Sequence, residues 1–112
     1  MVFNTGASLL DGIVLAVVAK APEGAYGYKI TQDIREMIDI SESTLYPVLR
    51  RLQKDGCLTV CDRQYGGRNR RYYIVTERGR EQLEDYRKSW EIYAKKISEI
   101  FRGCPEARDG MR

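Results

Sequence analysis

No histidine occurs anywhere in the 112 residues. That excludes imidazole acid–base catalysis, a histidine-held metal and a histidine pH switch. Cysteine is scarce, with Cys57, Cys61 and Cys104 forming no paired framework, so cytosolic thiols are the expectation. Cys57 and Cys61 lie four apart in a predicted strand and would face the same way. At ~3.3 Å per residue they stand about 13 Å apart, too far for one disulfide or one shared metal. They read as small buried hydrophobes, with a redox sensor as the alternative. No Walker loop and no GxSxG elbow is present, and no catalytic constellation stands out, so an enzyme is not expected, nor a metal or cofactor. No apolar run reaches the ~18 residues that cross a membrane. The apolar stretch from Leu9 to Ala19 is broken by Asp11 and Gly12 and has no basic region ahead of it. It reads as a buried helix, not a signal peptide, and the expected location is the cytoplasm.

What the chain has is an unevenly placed positive charge. Its net charge is +3. Residues 1–40 carry three basic and five acidic side chains, residues 41–76 seven and three, and residues 77–112 nine and eight. A basic excess confined to one segment suits a phosphate-contacting face; the alternative is a solvated surface.

Periodicity places the elements. Leu9, Leu10, Ile13, Val14, Val17 and Val18 recur at helical spacing over 9–20, and Leu15, Ala16 and Ala19 extend the apolar surface around that helix. In so small a chain its second side is expected to meet another subunit. After Ala21-Pro22-Glu23-Gly24, a helix over about 27–38 carries Ile30, Ile34, Met37 and Ile38 as one stripe. Ser41 is the expected N-cap of a third helix with Leu45, Val48, Leu49 and Leu52 inward, ending at Gly56. Pro47 sits awkwardly in it, near the expected first turn. Strands are predicted over 57–63 and 70–76, turning at Gly66-Gly67. Thr76 can cap a last helix over 77–102, where Leu83, Tyr86, Trp90, Tyr93, Ile97 and Ile100 recur in steps of three and four, with Phe101 widening the end. Such a seam usually belongs to a helix pair.

Helix, helix, two-stranded wing and helix is the layout of a winged helix-turn-helix. The expected fold is mainly α with a small β-hairpin: residues 1–76 bind DNA, 77–102 form a dimerisation helix, and 103–112 form a polar tail. The third helix offers Ser43, Thr44, Tyr46 and Pro47 to base edges, with Arg50 and Arg51 for phosphate or a guanine. Arg68, Asn69, Arg70 and Arg71 would enter a minor groove or clamp its backbone from the wing, or form a flexible polar hairpin. Tyr28 and Lys29 could bind phosphate at the start of the second helix, as could Tyr26, although the tyrosines also suit a core.

The strings STLYPVLRRLQKDGCL and GGRNRRYYIVTERG, with AYGYKITQDI before them, resemble the PadR family of transcriptional regulators over residues 8–101. A single C-terminal helix is similar to the family's short branch. The resemblance implies a homodimeric repressor on an inverted repeat, its fourth helices packing on the partner's first and fourth. It places Leu9, Leu10, Val17, Leu83, Ile97, Ile100 and Phe101 at that interface and accounts for Pro47 as part of the LYP triplet. The wing has Asn69 where family members carry a third basic residue or a proline. In some short members a tryptophan in this context, here KSWEIY, faces its dimer mate across a pore that admits flat aromatic molecules. That implies ligand sensing at Trp90, with Ile13, Val14, Tyr86 and Tyr93 as walls; the alternative is that Trp90 only packs. The rival function from another class is a winged-helix protein-interaction module that does not bind DNA.

Overall fold

A computed structural model describes residues 7–105. The elements, in order, are α1 (Ala7–Ala19), β1 (Ala25–Tyr26), α2 (Gly27–Met37), α3 (Glu42–Lys54), β2 (Leu58–Tyr65), β3 (Arg68–Val75) and α4 (Glu77–Arg102). The architecture is that expected from sequence, mainly α with a small sheet, plus one strand the periodicity did not predict. β1 is two residues long and pairs antiparallel with β3, Ala25 opposite Tyr73 and Tyr26 opposite Tyr72. The sheet order is therefore β1-β3-β2.

The hairpin is longer than predicted and runs without a break from Leu58↔Val75 to Tyr65↔Arg68. Gly66 and Gly67 both take positive φ at its tip, a two-residue turn that side-chain-bearing residues rarely allow. Alternation along the strands sends Leu58, Tyr73 and Val75 into the core and leaves the other face outward. Those three join Val14, Leu15, Val18, Ile30, Ile34, Leu45, Leu49, Leu52 and Tyr86 in one apolar cluster.

Helix ends follow local chemistry in part. Thr76 caps α4: its hydroxyl accepts from the Gly79 amide at 3.0 Å and donates to the Gly56 carbonyl at 2.6 Å, tying α4 to the end of α3. Ser41 occupies the N-cap of α3, but its hydroxyl bonds the Ser43 and Thr44 hydroxyls, each at 3.0 Å, and not a backbone amide. Pro47 is the sixth residue of α3, deeper than its sequence position suggested, and it removes the N–H that would bond the Ser43 carbonyl. Met37 and Ile38 depart from the predicted stripe. α2 ends at Met37, the backbone of Ile38 is extended, and both side chains are exposed.

The 26-residue α4 packs its first half on α1, where Tyr86 is buried. The Cβ position of Gly12 stands 3.2 Å from that of Tyr86, so the two helices cross where α1 has no side chain to hold them apart. Beyond Tyr86, Trp90 is 43% exposed, Tyr93 and Ile97 are half-buried, and the end of the seam lies open, with Ile100 67% and Phe101 73% exposed. No described helix is long and apolar enough to cross a membrane. The expected tail falls, beyond Pro105, outside the described residues.

Candidate nucleic-acid interface and the groove beside it

α2 and α3 form the helix-turn-helix. Glu42, in the first turn of α3, accepts from Gln32 at 3.2 Å and stands 3.9 Å from Arg35, which fixes the two helices against each other. On the outer surface of α3 lie Ser43, Thr44, Pro47 and Arg50, all exposed; Tyr46 is half-buried against the core. This is a small-polar and apolar surface followed by a cation, suited to single hydrogen bonds, thymine methyls and phosphate. At the head of α2, Tyr28 is exposed, and Lys29 is paired with Asp33 at 2.9 Å, a hydrogen bond that raises the lysine pKa and keeps it cationic.

The six arginine and asparagine candidates are not equivalent. Arg50, Arg68 and Asn69 are exposed, the last two at the wing tip. Arg71 is exposed and 3.6 Å from Asp62 across the hairpin. Arg51 turns back to α1, where Nη2 donates to Asp11 Oδ1. Arg70 lies flat on the sheet, its Cζ 4.7 Å from the ring centroid of Tyr26 and 4.8 Å from that of Tyr65. Both are expected DNA contacts, and both have partners within the chain, Arg51 with its side chain still 42% exposed.

Asp11, noted in the sequence only as a break in an apolar run, is the junction of three helices in the structure. It is only 8% exposed and touches three helices: its own α1, α3 through Arg51, and α4 through the Tyr86 hydroxyl, which donates to Oδ2 at 3.3 Å. Burial pushes its carboxyl above the usual value, further than the Arg51 cation pulls it down. Burial, then the Asp11 charge, likewise raises the Tyr86 phenol. The sequence signal was there, an aspartate interrupting an apolar helix.

On the far side of that junction an apolar groove of ≈390 Å³ is lined by Leu9, Gly12, Ile13, Ala16, Leu83, Tyr86, Arg87 and Trp90. Of the predicted ligand walls it brings together Trp90, Tyr86 and Ile13. Tyr93 does not line it, although its ring lies 6.2 Å from that of Trp90. Val14 is fully buried in the core, one position round the helix from Ile13, and cannot form a wall. Of the predicted interface residues, Leu9 and Leu83 face the groove, and Ile97, Ile100 and Phe101 continue along α4. Leu10 packs half-buried on the core, and Val17 is buried there, 8% exposed, so neither lies freely on the face.

The cysteines are separated by environment. Cys57 precedes β2, outside the strand alternation, and is buried; Cys61 is half-buried and Cys104 exposed. Among the described residues no three histidine, cysteine or acidic side chains gather to hold a metal.

A model of the transcriptional regulator PadR-like family matches residues 14–85. The chain belongs to that family. A crystal structure from Streptococcus mutans has 37% sequence identity and a TM-score of 0.78, covering 95% of this chain and 98% of that one. A PadR-like transcriptional regulator from Bacillus cereus has 27% identity and a TM-score of 0.77, covering 89% and 98%. A transcriptional regulator of Mycobacterium tuberculosis is 37% identical over 78 residues, 69% of this chain and 73% of its own. This PadR-family chain is accordingly a DNA-binding transcriptional regulator and not an enzyme.

Proposed function

We propose that the chain works as a cytoplasmic homodimeric repressor on an inverted-repeat operator. In this reading residues 7–76 are the DNA-binding part and α4 the dimerisation helix. The first half of α3 reads the major groove through Ser43, Thr44, Tyr46 and Pro47, and Arg50 with Tyr28 and Lys29 meets phosphate. Arg68, Asn69 and Arg71 flank it from the wing. The two copies of α3 sit one DNA turn apart, about 34 Å, matching two half-sites.

A small planar aromatic molecule releases the repressor by seating against Trp90. The observation that carries this is the apolar groove of ≈390 Å³ with a 43%-exposed tryptophan on its wall, continuous with the bare apolar end of α4. Such a ligand acts only through unequal affinity for the DNA-ready and DNA-incompetent dimers.

The test is a fluorescence titration of Trp90 with flat cationic dyes, with and without duplex DNA from upstream of the protein's own gene. Saturable quenching that weakens DNA binding supports the reading. DNA binding that survives with no quenching by any dye makes Trp90 a packing residue and removes the ligand from the proposal.

A further inference from the structure

The wing carries an arrangement that phosphate contact does not explain. Register places Arg63 directly opposite Arg70, with Tyr65 opposite Arg68 and Cys61 opposite Tyr72. All six side chains, with Tyr26 of β1, lie on the sheet face turned away from the core. Like charges facing each other across a hairpin are destabilising. Here each guanidinium is instead laid on tyrosine. Arg63 Cζ is 4.6 Å from the Tyr72 centroid, and Arg70 lies between Tyr65 and Tyr26. The Tyr26 and Tyr72 rings are 5.8 Å apart. The result is one column, Tyr65–Arg70–Tyr26–Tyr72–Arg63.

The column has two fixed ends. Tyr65 borders the Gly66-Gly67 tip. At the other end Arg63 donates to the Glu23 carbonyl, and its guanidinium lies 3.0 Å from the Cβ position of Gly24, where φ is +125°. Only glycine combines that backbone conformation with that approach. Tyr26 is also the N-cap residue of α2. The column therefore ties the wing tip to the head of the helix-turn-helix. The Nε of Arg70 is buried with no hydrogen-bond partner in the protein, so it is closed to an incoming phosphate.

We infer that Arg70 is a positioning residue: stacked between Tyr26 and Tyr65, it holds the wing at a set distance from α3, and the exposed Arg68 and Asn69 make the DNA contacts. This rests on the DNA-binding reading of α3 and the wing. A guanidinium suits this place because its two flat faces can stack between the rings, a planar geometry that a compact, strongly hydrated ammonium lacks.

The experiment uses the full chain and the variants Arg70→Ala, Arg70→Lys, Tyr65→Leu and Arg68→Ala. Two quantities are read: amide hydrogen exchange in β2 and β3 without DNA, and affinity for duplex DNA from upstream of the gene over a range of salt. Arg70→Ala, Arg70→Lys and Tyr65→Leu are each expected to speed wing exchange and to weaken binding roughly tenfold, about 1.4 kcal/mol, with the wild-type salt slope kept. Tyr65 is 64% exposed, so its loss leaves the core intact and the variant folded. Arg68→Ala is expected to do the reverse, leaving exchange unchanged and lowering the slope by about 0.9, one phosphate. Wild-type-like binding by Arg70→Lys, with Arg70→Ala losing a full phosphate of slope, would overturn the inference. So would unchanged wing exchange in Arg70→Ala. A wild-type chain that binds DNA without salt dependence would count against the regulator reading itself, and the exchange data would still decide the brace.

Discussion

Arg51→Ala is expected to destabilise the fold far more than Asp11→Asn, although the two residues share one ion pair. The reason is the difference in burial. The Arg51 side chain is 42% exposed, so it rehydrates when its partner is neutralised. The Asp11 side chain is 12% exposed and loses its counter-ion when Arg51 is removed. Breaking a buried pair from that side costs about 3–5 kcal/mol. The Tyr86 hydroxyl still reaches Oδ2, which places Arg51→Ala near the lower end, about 3 kcal/mol, or roughly 15 °C of melting temperature. Asp11→Asn removes a carboxylate whose burial already outweighs its pairing, and should cost no more than about 1 kcal/mol, the range of exposed pairs. The double variant should recover most of the Arg51→Ala loss.

The pH dependence has a definite sign. Asp11 titrates higher in the folded chain than its ordinary 3.8, so the folded state binds the proton more tightly. Its unfavourable contribution is complete above the raised folded value and disappears as pH falls toward 3.8. Removing Arg51 raises the folded value further. The Arg51→Ala defect should therefore be largest at neutral pH and shrink on acidification. Thermal melts at fixed protein concentration, since the melting point of the proposed dimer would depend on it, measure both. An Arg51→Ala cost under 1 kcal/mol at neutral pH, no rescue by Asp11→Asn, or a defect that grows in acid would refute the reasoning.

Thr76→Ala should cost about 1 kcal/mol in thermal or denaturant unfolding, since it removes the Gly79 cap and the bond to Gly56 together. Iodoacetamide should label Cys104 first and Cys57 last in the native chain, because burial pushes the Cys57 thiol up and shields it; mass spectrometry of the adducts reads the order.

The sequence carried the framework wherever a pattern repeats. The four helices, the Gly66-Gly67 turn and the Thr76 cap were legible because each follows from spacing or from one residue's local chemistry. β1 was not, since two residues cannot show a period; only the pairing of Ala25 with Tyr73 and of Tyr26 with Tyr72 makes it a strand. The charged residues were legible as a cluster but not as individuals. Composition says that residues 41–76 are basic, yet whether a given arginine faces solvent depends on what crosses it in space. Arg51 meets an aspartate 40 positions away, and Arg70 is flanked by tyrosines that only the register brings near. Val14 failed as a groove residue for a simpler reason. A helix apolar nearly all round does not reveal which side faces its own core.

That ambiguity bears on how the groove can regulate DNA binding. Tyr86 is the last buried residue on the α4 seam; Trp90, one helical turn on, is partly open, Tyr93 and Ile97 are half-buried, and Ile100 and Phe101 are bare. Whatever covers Ile100 and Phe101, a second copy in our proposal, would continue the surface on which Trp90 stands, so that the proposed dimer contact and ligand contact would share a wall. Tyr86 forms part of that wall and also bonds Asp11, which holds Arg51 of α3. A molecule that shifts Tyr86 thus acts on a carboxylate that is costly to leave unpaired, and the unequal energies of the two arrangements are what a ligand needs in order to favour one dimer over another. If Asp11 is that link, Asp11→Asn should uncouple dye binding at Trp90 from DNA affinity while leaving each binding event intact.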